Sequence, residues 1–138
     1  MKWLRGKKKV VSLSLLEIWI LLILKAGGGW VGADKVMVII FLLERVYGLA
    51  KVCFVPGRIP WSRDVANALN RLTSLGLAEA LPQGGAYRLT ENGRMAVERY
   101  SLSDLRLRYP YNLIKFFIGW NTDALADYIR VNYPEWTA

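Results

Sequence analysis

The chain has 138 residues, of which 54% are apolar, and its formal net charge is +8. This length allows one domain with an extension, and the apolar content is sufficient for a hydrophobic core. The single cysteine excludes an intramolecular disulfide, and the absence of histidine excludes the usual zinc sites and histidine-based catalysis. We therefore expect a cytoplasmic protein without a cofactor.

Positive charge is concentrated at the N-terminus. The first nine residues include five basic side chains, whereas positions 10–138 hold 14 basic and 11 acidic residues. Residues 1–10 are therefore predicted to form a flexible basic arm. Such an arm suits phosphate or minor-groove contacts with DNA. Binding to anionic lipid and a solvated tail without a target are the alternatives. The five side chains are Lys2, Arg5, Lys7, Lys8 and Lys9.

An apolar segment follows the arm and imitates a signal peptide. Glu17 interrupts this segment and Lys25 ends it, so its longest uninterrupted part is residues 18–24. That part is far shorter than the ~20 residues that cross a bilayer. We therefore predict a buried first helix from Ser12 or Ser14 to Ala26, and no contact with a membrane.

A second helix is predicted to begin near Asp34, as its N-cap, and to end at Gly48. Apolar residues cover most of its surface, which implies deep burial. Residues 51–55 predict a short strand or an extended segment. Pro56 and Pro60 then fix the start of a third helix.

The third helix is predicted to run from Ser62, its N-cap, to Leu75. Gly76 suits the left-handed position that follows a helix. Apolar residues recur along this helix at helical spacing, which predicts that one side of it is buried. These residues are Val65, Leu69, Leu72 and Leu75.

Two predicted strands, residues 77–81 and 86–89, flank a glycine turn, and Thr90 begins a helix that is predicted to continue to about Arg106. This order, with LxxLxxLGL at 69–77 and YRLTENGR at 87–94, resembles archaeal and bacterial winged helix-turn-helix regulators of the MarR and PadR types. The resemblance covers residues 12 to about 100. It implies that the third helix meets the DNA major groove and that the strand pair forms the wing.

Two further segments are similar to a subset of archaeal winged-helix proteins related to the Panacea domain. The first is ERVYGLAKVCFVPGRIPWSRDV at 44–65, in which Ile59 stands where that subset has a glycine before its Pro-aromatic-Ser pattern. The second is DALADYIRVNYPEWT at 123–137.

The C-terminal part, residues 101–138, is predicted to be a helical extension of the winged-helix domain, which spans residues 11–100. Pro110 is expected to end one helix or to start the next, at residues 111–120, and Asn121 or Thr122 caps a last helix. Aromatic residues recur here at helical spacing, which favours core or dimer packing over stacking on bases. The resemblance implies a homodimer with recognition helices about 34 Å apart.

The predicted fold is therefore mainly α with a small β-ribbon, an α+β winged helix-turn-helix with extra C-terminal helices. Arginine pairs with guanine and asparagine with adenine, so the polar side of the third helix is a candidate DNA-binding surface. It is equally the solvated side that any surface helix has, and Arg88 can pair with Glu79 instead of a phosphate. The candidate DNA-binding residues are Arg58, Ser62, Arg63, Asn67, Asn70, Arg71 and Ser74 around the helix, Gln83, Gly84 and Arg88 in the wing, and Lys7, Lys8 and Lys9 in the arm.

No catalytic residues are predicted. The carboxylates show no paired-acid pattern, and the glycine run at 27–29 lacks the Lys-Ser/Thr of a phosphate loop. Cys53 lacks a histidine partner and is expected to be a buried, inert thiol. We predict a DNA-binding transcriptional regulator, a homodimer on double-stranded DNA. The alternative is an adaptor that docks on a larger protein assembly, favoured by the weak charge outside the arm.

Overall fold

A computed structural model describes residues 12–137 of the chain. The predicted arm, including Lys7, Lys8 and Lys9, lies outside these residues. In chain order the described elements are α1 (Leu15–Gly27), β1 (Val31–Gly32), α2 (Ala33–Tyr47), α3 (Arg63–Ser74), β2 (Ala78–Ala80), β3 (Ala86–Leu89), α4 (Glu91–Val97), α5 (Leu105–Phe117), α6 (Thr122–Asn132) and a 3-10 turn (Pro134–Trp136).

Helix α1 lies at the centre of the core, as the sequence predicts. Residues 19–24 are each at most 1% exposed, and α1 contacts α2, α3, α4, α5 and β3. The two C-terminal helices complete this core, because α5 packs on α1 and α2 while α6 packs on α2. None of the described helices is both long enough and apolar enough to cross a bilayer.

The three strands form one small antiparallel sheet in the order β1-β3-β2. Strand β3 pairs with β2 as predicted, with Glu79 opposite Arg88. Its other edge pairs with β1, where Val31 is opposite Tyr87. Strand β1 was not predicted, because a strand of two residues is too short to show alternation. The chain is thus mainly α with a small antiparallel sheet, which confirms the predicted class.

The predicted N-cap Ser62 is confirmed, because its side chain accepts a backbone N–H in the first turn of α3. Ser14 rather than Ser12 caps α1 in the same way, and Asn121 rather than Thr122 caps α6. Thr90, where a helix was predicted to begin, caps α4. The prediction of Asp34 as the cap of α2 is wrong. The N-cap is Gly32, two residues earlier, and the helix begins at Ala33. The Ala33 N–H donates to the carbonyl of Gly85 at 2.8 Å, so the sheet satisfies this helix end without a side-chain cap.

Glycine at position 93 is required by close packing rather than by turn geometry. A β-carbon at Gly93 would overlap the backbone carbonyl of Leu77. The same residue donates its N–H to the Thr90 hydroxyl at 3.0 Å. Helix α4 therefore lies directly against the chain that enters β2, and this contact explains the glycine in the YRLTENGR segment.

The helix that begins after Thr90 ends at Val97 and does not reach Arg106, which corrects the sequence prediction. Residues 98–104 form turns, and Asp104 caps α5 by accepting the Arg106 N–H at 2.9 Å. Pro110 neither ends nor starts a helix, because it lies inside α5.

A tertiary hydrogen bond explains why α5 tolerates an internal proline. Pro110 has no N–H to donate to the carbonyl of Arg106, four residues earlier. That carbonyl instead accepts the indole N–H of Trp19 at 3.1 Å. Trp19 is fully buried, so the same bond also satisfies a polar group in the core.

We expect Trp19→Phe to lower the free energy of unfolding by about 1–3 kcal/mol through the lost hydrogen bond, and further through the loss of packing. The cost should fall in a Pro110→Ala background, because that substitution restores a helical N–H donor for the Arg106 carbonyl. Urea unfolding of the wild type, the two single variants and the double variant measures this coupling. An equal cost of Trp19→Phe in both backgrounds would contradict the explanation.

Candidate nucleic-acid interface

Helix α3 has one buried side and one exposed polar side. Its buried residues are Val65, Ala68, Leu69 and Leu72, which face the core. Its exposed residues recur at helical spacing and form one continuous surface, which we call the α3 face. They are Arg63, Asp64, Asn67, Asn70, Arg71 and Ser74.

Four of the predicted site residues lie on the α3 face without a side-chain partner. Within residues 12–137, no hydrogen bond or ion pair involves the side chains of Arg63, Asn67, Asn70 or Ser74. Three of them carry amide or guanidinium groups, which form paired hydrogen bonds with base edges. Within the described part of the chain, the polar side of α3 is therefore directed away from the core, and these four side chains are not engaged by other residues.

The N-terminus of α3 is fixed by its preceding loop. Val55 and Trp61 exchange two backbone hydrogen bonds of 2.8 and 3.0 Å, which close the loop before the helix. Ser62 then caps α3 by accepting the Val65 N–H at 3.3 Å. Ser62 is only 1% exposed, so its hydroxyl holds the helix in place and does not reach the surface.

Arg71 forms an ion pair with Glu17 of α1, although it was predicted to contact bases. Its guanidinium donates to a Glu17 carboxylate oxygen at 2.6 Å and to the carbonyl of Ser12 at 3.2 Å. The Glu17 side chain is 6% exposed and that of Arg71 is 47% exposed. A carboxylate buried in an apolar helix needs a charged partner, so Glu17 was the signal in the sequence for this pairing.

Glu17 has a second role at the start of α1. The same carboxylate oxygen accepts the Ser14 N–H at 2.8 Å, while the Glu17 N–H donates to the Ser14 hydroxyl at 3.1 Å. This is a capping box, in which the side chain satisfies an otherwise unpaired helix-end donor. One carboxylate thus both caps α1 and holds α3.

The predicted wing is short, and its arginine is engaged. Arg88 donates to Glu79 at 2.7 Å across the strand pair, the alternative that the sequence left open. Its guanidinium also lies 4.4 Å from the centroid of the Trp30 ring, a cation–π contact. At the tip Gln83 is exposed, and the adjacent Gly84 has a φ of 76°, which the turn itself requires.

Arg58 lies in the loop before α3 and not on the α3 face. Its guanidinium is 3.8 Å from Asp123 near the start of α6, and both side chains are largely exposed. A pair so exposed is strongly screened and contributes little to stability. The structure therefore brings five of the predicted residues together on the α3 face, of which Arg71 is paired with Glu17. Arg58 and Arg88 lie outside that face.

Burial raises the pKa of the Tyr100 hydroxyl. The other pKa shifts of the described residues arise in two exposed groups of ion pairs, at the N-termini of α4 and α5. The hydrogen bond from Arg94, assisted by its charge, lowers the pKa of Glu91. Hydrogen bonds from Arg106 lower the pKa of Asp104. Both carboxylates are at helix N-termini, where negative charge is favourable. These shifts reflect structural pairs and do not outline an acid–base site.

Cys53 is exposed, which corrects the prediction of a buried thiol. The chain is extended here, so Val52 faces the core and the next side chain faces solvent. The Cys53 N–H donates to Asp64 at 3.0 Å, which links this segment to the first turn of α3. In the described part of the chain, no group of three or more acidic or cysteine side chains is placed to hold a metal ion.

Comparison with known proteins gives no family for this chain. No protein-family model matches the sequence, and no curated protein matches it.

We expect the Glu17–Arg71 pair to couple α1 and α3 energetically by about 1 kcal/mol, because one partner is buried. Arg71→Ala should lower the free energy of unfolding more than Glu17→Ala, since it leaves the buried Glu17 carboxylate without its charged partner. Urea unfolding of both single variants and the double variant measures the coupling.

The Asp127–Arg130 pair of α6 is the matched control. Its atoms are also 2.6 Å apart, but both side chains are more than half exposed. Its coupling should stay below about 0.5 kcal/mol. Equal coupling in the two pairs would contradict a special role for Glu17.

Proposed function

We propose that this chain is a winged helix-turn-helix protein that binds double-stranded DNA through the α3 face and acts as a transcriptional regulator. The observation that carries the proposal is the α3 face itself, a helix surface bearing Arg63, Asn67, Asn70 and Ser74 with no side-chain partner among the described residues.

The order of the elements supports this proposal. Three helices precede a strand pair, and the short strand β1 between α1 and α2 joins the far edge of β3. A winged helix has this order, and its third helix is the one that enters the major groove. Helix α3 has 12 residues, a length of about 18 Å. The major groove is about 12 Å wide and admits such a helix.

The side chains of the α3 face match base edges. Arg63 can pair with the O6 and N7 atoms of guanine, and Asn67 or Asn70 with the N6 and N7 atoms of adenine. Ser74 is suited to a phosphate or a base. Asp64 on the same face carries a negative charge that opposes phosphate contacts, and its carboxylate accepts the Cys53 N–H.

The basic arm would supply the electrostatic part of the binding. The described chain starts at Ser12, whose carbonyl is bonded to Arg71 at the edge of the α3 face. Lys9 is three residues before that point, so its α-carbon is within about 11 Å of that of Ser12. Lysines attached there can contact the phosphates that flank a groove occupied by α3.

A homodimer is part of the proposal, since two α3 helices about 34 Å apart would meet successive major grooves. Sedimentation of the complex with a palindromic duplex tests this stoichiometry separately from the binding mode.

The alternative function is a protein-interaction adaptor, and the pairing of the arginines favours it. Of the four arginines in residues 54–90, Arg58, Arg71 and Arg88 are each within 4 Å of a carboxylate. Such pairing reduces the charge that the domain offers to phosphates. Under this alternative the α3 face contacts another protein.

We expect Arg63→Ala and the double substitution Asn67→Ala/Asn70→Ala each to lower duplex affinity by about tenfold or more, because each removes base contacts worth about 1–3 kcal/mol. The matched control is Arg130→Ala, which removes an exposed arginine of α6 and should leave the affinity nearly unchanged. Fluorescence anisotropy with a labelled duplex, titrated across salt concentrations, measures these affinities.

Two results would contradict this docking mode. Equal losses for Arg63→Ala and Arg130→Ala would mean that only net charge matters. Absence of duplex binding at about 50 mM salt, where nucleic-acid contacts are strongest, would leave the adaptor as the better account.

A further inference from the structure

Helix α5 exposes an apolar stripe on the side that faces away from the core. Leu105, Tyr109 and Phe116 are 58%, 47% and 64% exposed. With the exposed Asn112 they recur at spacings of four, three and four residues, which is the spacing of a coiled-coil seam. We call these four residues the α5 stripe. The opposite side of α5 is also apolar, and it packs on α1 and α2.

At the C-terminal end of the α5 stripe, Phe116 packs against neighbouring aromatic rings. The Phe116 ring packs edge-on against Phe117, with centroids 4.9 Å apart, and lies 5.8 Å from the ring of Trp120. Phe117 in turn is buried and packs on Tyr128 of α6. An exposed aromatic ring that is already immobilised loses little entropy on binding, and a large exposed apolar surface indicates an interaction site.

Basic side chains flank this stripe without matching acids on the helix. The sequence of α5, LRLRYPYNLIKFF, contains no aspartate or glutamate. Arg108 lies 5.2 Å from the ring centroid of Tyr109, so a guanidinium borders the stripe directly. Lys115 and Lys25 both lie over the ring of Tyr111 at 5.2 and 5.3 Å. The acid nearest in sequence, Asp104, already pairs with Arg106.

We propose that the α5 stripe docks an amphipathic helix of another protein, whose apolar stripe is flanked by aspartate or glutamate. The apolar seam supplies the burial, and the basic flanks select the partner by charge. Helix α5 has 13 residues, which gives a contact length of about 20 Å for such a partner. This inference does not depend on whether the α3 face binds DNA.

A second copy of this chain fits the surface less well. If two α5 helices paired along their stripes, the basic side chains beside each stripe would meet the same basic side chains of the other copy. Like charges across such a seam are unfavourable and are a means by which coiled coils reject partners. The charge of the flanks therefore favours an acidic partner over self-association.

The test uses the full chain and two labelled helical peptides with the same leucine seam, one flanked by glutamate and the other by lysine. Fluorescence anisotropy should show binding of the glutamate peptide and at least about tenfold weaker binding of the lysine peptide. Leu105→Ser and Phe116→Ser should each lower the affinity for the glutamate peptide by about tenfold. Val131→Ser, at a 70% exposed apolar residue of α6, is the matched control and should have no effect.

Charge reversal gives the sharpest readout. The double substitution Arg108→Glu/Lys115→Glu should exchange the preference, so that the lysine peptide binds better. Circular dichroism confirms that each variant is folded, and duplex binding by Leu105→Ser should equal that of the wild type. The proposal is overturned if the two peptides bind equally, if neither binds, or if sedimentation shows a dimer that Leu105→Ser abolishes.

Discussion

Helix α1 is buried on every side along residues 19–24, and the positions of the other elements depend on it. A helix without an exposed face must be surrounded, and here α2, α3, α4, α5 and β3 surround it. Substitution of one such leucine or isoleucine by alanine typically lowers the free energy of unfolding by about 2–5 kcal/mol. Its polar groups are as constrained as its apolar ones. Glu17 is bonded to Arg71 of α3, and Trp19 to the Arg106 carbonyl of α5.

Local patterns in the sequence predicted where most helices begin. They did not predict the contacts between residues that are far apart in sequence. Side-chain caps act over three residues, and the four observed caps lie at positions where the sequence predicted a helix to begin: Ser14, Ser62, Thr90 and Asn121. The course of α5 was not predictable, because the donor that replaces the missing N–H of Pro110 comes from Trp19, far away in sequence. The pairing of Arg71 with Glu17 was not predicted for the same reason, because the periodicity of α3 shows only that Arg71 lies on its polar side.

The two candidate surfaces differ in how their side chains are satisfied. The α3 face carries polar groups with few internal partners, and the arginines at its edge and in the strand pair are neutralised by Glu17 and Glu79. The α5 stripe carries apolar groups, and the charges beside it lack acids on the same helix. Directional polar groups favour a ligand with a fixed hydrogen-bonding pattern, such as a base edge. An apolar seam with basic flanks favours a protein helix. The proposed regulator would thus use one surface for DNA and the other for a partner.

Whether the α3 face binds DNA can be tested by amide chemical shifts recorded during titration with a DNA duplex at low salt. These shifts locate the contact without any substitution. We expect the largest changes in the amides of α3, around Arg63, Asn67 and Asn70, and smaller changes in those near Ser12 and Gln83. Amides of α5 should remain unchanged. Shifts confined to α5 and α6, or no shifts at all, would contradict the claim that α3 presents a DNA-binding face.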